Sequence, residues 1–256
     1  MTENAVPEFE SEHSFQHFSH EVARERRYVR STQSEGFLRA VASTCKNRLW
    51  TIPNGQAFWR AQLGHSWAKI ESLPMKRPTA YPADRMKPLV DRAREGRVNA
   101  KGIPCLYLAT TKDTAMSEVR PWVGAMVSVA KFEATRQLIV VNCSVLRGRY
   151  VELALFDRPT LGRVHPENID KVVWAAIDDA FSEPVTPTDE VADYAATQII
   201  AELFRSLEFD GVAYKSAFGE DGFNVALFDL ASANQVGDGE VHSVQSISHV
   251  FEYRNG

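Results

Sequence analysis

The chain has 256 residues, 44% of them hydrophobic, enough to bury one substantial core or a core with a small accessory unit. Its 29 Lys and Arg stand against 33 Asp and Glu, a net charge of -4 that argues against nucleic-acid binding through a broad basic surface and leaves room only for a local basic pocket. Cys45, Cys105 and Cys143 lie far apart in no CxxC spacing, so neither a disulfide frame nor a thiolate metal site is expected.

In chain order, the first stretch, MTENAVPEFESEHSFQHFSH, is acidic and polar where a secretion signal would be basic and then apolar. No apolar run approaches the roughly 18 residues of a membrane span. The expectation is a cytoplasmic protein with no membrane partner. Residues 12 to 50 mix Arg, Glu and His with scattered aromatics and predict two helices broken near STQSEG, a helical extension over residues 1–53 ahead of a domain over 54–256. Pro53-Asn54-Gly55 is a turn signal, and QAFWRAQLG after it predicts a short strand carrying Arg60. The segment 74–88 has four prolines in 15 residues and predicts an irregular loop.

IPCLYLAT then predicts a strand, and KDTAMSEVRP a helix of about two turns with Asp113 as its N-cap and Pro121 as its stop. MVSVAKFEA and QLIVVNCS predict two strands joined tightly. From Ile169, apolar residues recur at 172, 173, 176, 177 and 180, one face of an amphipathic helix with Pro166 in its first turn. Ala196, Ile199, Ile200, Leu203 and Leu207 share the face of a second helix, ended by Asp210-Gly211 before the strand GVAYKS. FGEDG turns that strand back into FNVALFDL as a hairpin, and the tail alternates through Gln245, Ile247, His249, Phe251 and Tyr253. Strands in adjacent runs rather than strict βαβ alternation predict an α+β fold with a mainly antiparallel sheet.

The common nucleotide-loop, metalloprotease and nucleophile-elbow signatures are missing from the sequence. What stands out instead is a set of polar residues in strands or at tight turns: Arg60, Arg97, Tyr107, Glu118, Ser216 and Asn224. Taken singly, each has an ordinary structural reading: a solvated strand-end arginine or serine, a core tyrosine, an exposed Glu118–Arg120 pair, a turn asparagine. His13, His17 and His20 would share one face of a helix, but no cysteine or carboxylate completes a ligand set, and solvated side chains are the expectation. RERRYVR at 24–30 has glutamates on both sides, which favours a solvated helix or a protein interface over nucleic acid.

As a set, these residues resemble the RES domain, named for the Arg, Glu and Ser of its three sequence blocks, here Arg60, Glu118 and Ser216. The resemblance spans residues 56–230: an arginine followed by a glycine, GRVNAKGIPCLYLA leading into TAMSEVR, and TQIIAELFRSLEFDGVAYKSAFGEDGFNVALF. It implies an ADP-ribosyltransferase-like core and the activity of a NAD-consuming toxin of a bacterial toxin–antitoxin pair. NAD would be a substrate, with water or inorganic phosphate as acceptor; no cofactor or metal is implied. Cleaving the nicotinamide–ribose bond builds positive charge on the sugar, which a carboxylate stabilises, and Glu118 is the candidate. Arg60 and Arg97 would hold the pyrophosphate as guanidinium forks. Tyr107 would stack on the nicotinamide with its hydroxyl free, Ser216 would hold a ribose hydroxyl or the carboxamide, and Asn224 would complete the substrate site.

Trp59 stands before Arg60 where compact members often carry a tyrosine, which puts a second tyrosine contact in doubt. Two rival functions remain at this level: an ADP-ribosyltransferase modifying a protein, or a nucleotide- or partner-binding module without turnover. A small antitoxin is the implied partner, and a homodimer through the added helices, anchored by Phe15, Phe18 and Phe37, is a further expectation.

Overall fold

Two helices lead the chain, α1 (Ser14–His20) and α2 (Thr32–Thr44), in a computed structural model that describes residues 7–71, 74–156, 164–183, 191–218 and 222–248. Between them, Glu21 gathers the segment. Its carboxylate accepts from the Ser31 amide at 2.7 Å, the Ser31 and Ser34 hydroxyls at 2.5 and 2.6 Å, and Arg26 Nε at 3.0 Å. Ser31 is also the N-cap of α2, accepting from the Ser34 amide. Burial pushes the Glu21 carboxyl up, but these donors outweigh it and bring the group down from its ordinary 4.5 to about 2. A depressed carboxylate contributes stability that is present above the unfolded value and lost as pH falls through the folded one. Denaturant titrations of the wild type should therefore show stability dropping between pH 4.5 and about 2, and Glu21→Gln should flatten that limb; an identical acid limb in the variant would remove Glu21 as its cause.

The strands follow as β1 (Leu49–Ile52), β2 (Ala57–Leu63), β3 (Ser66–Lys69), β4 (Lys76–Thr79) and β5 (Leu106–Ala109), then helix α3 (Lys112–Glu118). After it come β6 (Met126–Ala134), β7 (Leu138–Cys143), helices α4 (Tyr150–Phe156), α5 (Ile169–Ser182) and α6 (Ala195–Ser206), and strands β8 (Gly211–Lys215), β9 (Phe223–Leu227), β10 (Ala233–Gln235) and β11 (Glu240–Ser243). The main sheet runs β1-β7-β8-β9-β5-β2-β6-β10, with β11 sharing the outer edge of β6. Its pairs are antiparallel except β7 with β8.

Strands β6 and β7 lie well apart in that order, yet residues 135–137 alone join them. A flat sheet spaces each strand about 4.8 Å from the next, so five steps would open a gap of roughly 24 Å, and so short a link spans only about 14 Å at full extension. The sheet must fold back on itself. Side-chain alternation then serves two cores. Leu106, Leu108, Val140, Ala213, Val225 and Leu227 fill the space between the two halves with Phe58, Phe132 and Ile52. Their alternates Cys105, Cys143, Val212, Tyr214 and Ala226 face the helices.

Several expectations change in the structure. After the two front helices, β1 at 49–52 pairs with β7 in the main sheet, and the front helices share one core with α5, α6 and the sheet. Phe15, Phe18 and Phe37 are buried inside that core, with Phe18 stacked on Phe37 at 4.5 Å, so they are not anchors for a second copy. The proline segment holds strand β4, with Pro78 opposite Trp67 in a two-stranded ribbon whose outer edges need no donor. Thr111, not Asp113, caps α3 by accepting from the Thr114 amide at 3.1 Å. Helix α6 stops at Ser206, with Glu208 at φ 64, before the Asp-Gly pair is reached. Gly211 is needed for another reason: a Cβ there would sit 2.2 Å from the Ala226 carbonyl across the β8–β9 pair. In the tail, 244–248 are not strand, and His249, Phe251 and Tyr253 lie outside the described residues.

On the surface, the His13 and His17 rings are 6.3 Å apart and His20 lies 3.3 Å from Glu25. Among the described residues no group of three or more His, Cys, Asp or Glu is placed to hold a metal, and no helix is long and apolar enough to cross a membrane. In the basic run, Arg24 pairs with Asp193, Arg26 with Glu21 and Arg30 with Glu35.

Candidate active site

Glu118 is the last residue of α3, a helix short enough that its far end stays beside the sheet. Strand pairing sets its neighbours: Asn224 on β9 lies opposite Ala109 of β5 on one side and Tyr214 of β8 on the other. Asn224 Nδ2 donates to Glu118 Oε1 at 2.6 Å, and Ser216 Oγ donates to the same oxygen at 2.6 Å. Both donors fix one oxygen of the carboxylate, and Oε2 takes no hydrogen bond from the described residues. Ser216 is itself held by the Phe218 amide, which donates to its Oγ at 3.0 Å. The serine is fully buried behind the carboxylate and does not line the cleft. As placed, its hydroxyl is spent on Glu118 Oε1, where the expectation had it on a ribose hydroxyl or the carboxamide.

The tyrosine also differs from expectation. The Tyr107 hydroxyl donates to Asn99 Oδ1 at 2.6 Å and accepts from the Val98 amide at 3.1 Å, so it is committed to the protein. Burial, with Tyr214 beside it, raises this hydroxyl well above the ordinary tyrosine value and keeps it neutral. The GRVN turn is built around it. A Cβ at Gly96 would lie 2.6 Å from the Tyr107 oxygen, so only glycine passes there. Asn99 donates from Nδ2 to the carbonyls of Ile103 and Arg94 at 2.7 and 2.9 Å. From α6, Gln198 donates to the Gly96 carbonyl and Thr197 to the Arg97 carbonyl. Asn99, Gln198 and Thr197 were not singled out from sequence; an asparagine in a turn and a Thr-Gln pair about a hundred residues later are ordinary until the fold brings 96–99 against 197–198.

Both expected phosphate arginines have structural partners. Arg60 donates from Nε to the Met86 carbonyl at 2.6 Å and from Nη1 to the Tyr107 carbonyl at 2.7 Å, tying the 80s loop to β5. Burial lowers its pKa to about 10, and it remains cationic at neutral pH. Arg97 donates to the carbonyls of Ala180 and Glu183, at the C-terminal end of α5 where carbonyls lack helical partners and the dipole favours a cation. Its guanidinium also lies between the Tyr194 and Tyr214 rings, 6.0 and 5.8 Å from their centroids.

These residues meet at a cleft of about 1230 Å³, lined by Arg60, Arg97, Tyr107, Glu118 and Asn224 among others. Trp59 and Tyr194 supply further aromatic wall. Seven Lys and Arg side chains line the cleft against three acidic ones, Asp84, Glu95 and Glu118, in a chain whose total balance is acidic. The excess comes largely from Arg85 and Lys87, inside the proline-rich segment 74–88, and from Arg92 and Arg94 just past it, none of them singled out from sequence. Their density was the available signal. Low-dielectric walls of one sign concentrate ions of the other, so the cleft suits an anionic ligand larger than a single drug-sized molecule needs.

A folded, mainly antiparallel sheet with a pinned carboxylate at a cationic cleft defines the class: an α+β domain. The RES-domain family profile matches residues 57–247, and the chain belongs to that family. Among solved structures, the crystal structure of the M. tuberculosis MbcT–MbcA toxin–antitoxin complex is similar, with 16% identity and a TM-score of 0.41 over 78% of this chain and 90% of that one. No curated protein matches the chain.

Proposed function

We propose that this chain cleaves the nicotinamide–ribose bond of NAD, as a glycohydrolase or phosphorylase, and acts as the toxin of a toxin–antitoxin pair with a small antitoxin as its partner. The observation that carries the reading is the Glu118 carboxylate at the cleft, held through Oε1 by Ser216 and Asn224 with Oε2 left for a ligand. As the bond from ribose C1′ to the nicotinamide nitrogen breaks, its electron pair leaves with the nicotinamide and the sugar becomes cationic. A carboxylate fixed in advance opposes that charge without reorganising. Water or inorganic phosphate then adds to C1′ and sheds a proton to solvent, giving ADP-ribose or its 1-phosphate. The aromatic wall of Trp59, Tyr107 and Tyr194 offers a face to the nicotinamide ring. RES-family membership supports the toxin role.

The test is a time course of NAD with purified protein, with and without phosphate, following nicotinamide and the ribosyl product. Release of nicotinamide in step with free ADP-ribose or its phosphate ester supports the reading. Label carried from NAD onto a protein would assign an ADP-ribosyltransferase instead. Binding without release would leave a ligand-binding module.

A further inference from the structure

We propose that Arg85, Arg92 and Arg94, on the loop between β4 and β5, form the phosphate subsite of the cleft and take the pyrophosphate of a dinucleotide. The inference rests on the reading of the cleft as a NAD site and names the residues that would recognise its charged centre. It starts from the cations that are already committed. Arg60 holds the carbonyls of Met86 and Tyr107, and Arg97 holds those of Ala180 and Glu183. Lys87 donates to the Leu230 carbonyl at 2.6 Å and to Asn234 Oδ1 at 2.8 Å. Each would have to share its N–H donors between the protein and a phosphate.

The three loop arginines would not. Arg85 lies over the Tyr81 ring, 4.2 Å from its centroid, a cation–π contact, and its guanidinium N–H groups make no hydrogen bond or ion pair with the described residues. Arg92 has only Asp91, 3.8 Å away with both side chains largely in solvent. The Arg94 side chain has no partner among the described residues. All three line the cleft.

Their backbone is held while their side chains are not. Met86 is fully buried and its carbonyl is fixed by Arg60; Ala93 is buried and its carbonyl accepts from the Gly102 amide at 3.0 Å. The Arg94 carbonyl is held by Asn99. Guanidinium groups on an anchored loop reach phosphate oxygens at a smaller entropic cost than groups on a free one, and each can bind two oxygens at once. Arg60 is then a positioning residue: its bond to Met86 fixes one end of the loop that carries the subsite.

The probe is ADP-ribose, which carries the pyrophosphate and has no nicotinamide to lose, titrated into the full-length chain by calorimetry. R85Q/R92Q/R94Q should weaken its binding by about tenfold or more. It should also flatten the loss of affinity with rising salt. R39Q/R77Q/R147Q removes the same charge at positions that do not line the cleft and should bind within about twofold of wild type. In turnover, the loop variant should raise KM for NAD far more than it lowers kcat. Wild-type affinity in the loop variant, or equal weakening in both triple variants, overturns the proposal. If the loop variant alone loses ADP-ribose and wild-type protein never releases nicotinamide, the subsite stands and the cleavage reading falls. No binding of ADP-ribose by wild type overturns both.

Discussion

Glu118→Gln is expected to lower the rate of nicotinamide release by about 10²-fold or more, roughly 3 kcal/mol of transition-state stabilisation, with little change in NAD affinity. The substitution isolates charge from shape. The glutamine carbonyl can still accept from Ser216 Oγ and Asn224 Nδ2, which both address Oε1 in the wild type. The group replacing Oε2 is an amide NH₂, whose positive end would face the ribosyl cation where a negative oxygen stood. Since the charge develops only as the bond breaks, the loss belongs in kcat rather than KM. Ser216→Ala should cost less, because Asn224 still holds the carboxylate, and a smaller loss there would mark the serine as an aiming residue. Equal turnover by wild type and Glu118→Gln would remove Glu118 from the chemistry.

The fold was legible where local pattern decides it. The apolar period from Ile169 gave α5, the alternation in IPCLYLAT gave β5, and the last block gave the β8–β9 hairpin. The site was legible as a set of residue types, because polar side chains recur where strands want apolar ones, at Arg60, Tyr107 and Asn224, and at the ends or turns beside them, at Arg97, Glu118 and Ser216. Their duties were not. Arg60 bonds to carbonyls 26 and 47 residues away, and Arg97 to carbonyls 83 and 86 residues away. A sequence shows that a guanidinium is present, but long-range closure alone shows which of its donors are spent. The basic loop was hidden for a related reason: an acidic total says nothing of where charge gathers, and only Arg85 stands among the four prolines of 74–88, with Arg92 and Arg94 in the unpatterned stretch after them. The same prolines concealed β4, since a residue without an amide donor is tolerated where an edge faces solvent.

Asp178→Ala is expected to cost about 3–5 kcal/mol of stability, because it strips the counter-charge from a buried arginine. Asp178 is fully buried on α5, and its Oδ2 accepts from Arg48 Nη2 at 2.5 Å and from the Leu146 amide at 2.7 Å. Arg48 has the Trp174 ring 4.3 Å from its guanidinium carbon, so the aspartate is the charged group that balances it. Asp178 Oδ1 and Arg48 Nη1 are buried without hydrogen-bond partners among the described residues, so the pair is imperfectly satisfied even when intact. Burial pushes the Asp178 carboxyl up from 3.8 to about 6, although Arg48 and the Leu146 amide pull it down. The folded state therefore binds the extra proton, and this group's contribution is present in full below 3.8 and lost as pH rises through about 6. Denaturant titrations from pH 3.5 to 7 should show that limb in the wild type and not in Asp178→Asn. The double variant Arg48→Met with Asp178→Leu should recover most of the loss, since a packed apolar pair avoids the desolvation of both charges. A double variant no more stable than Asp178→Ala would mean that the cost lies in packing around α5 rather than in an uncompensated charge.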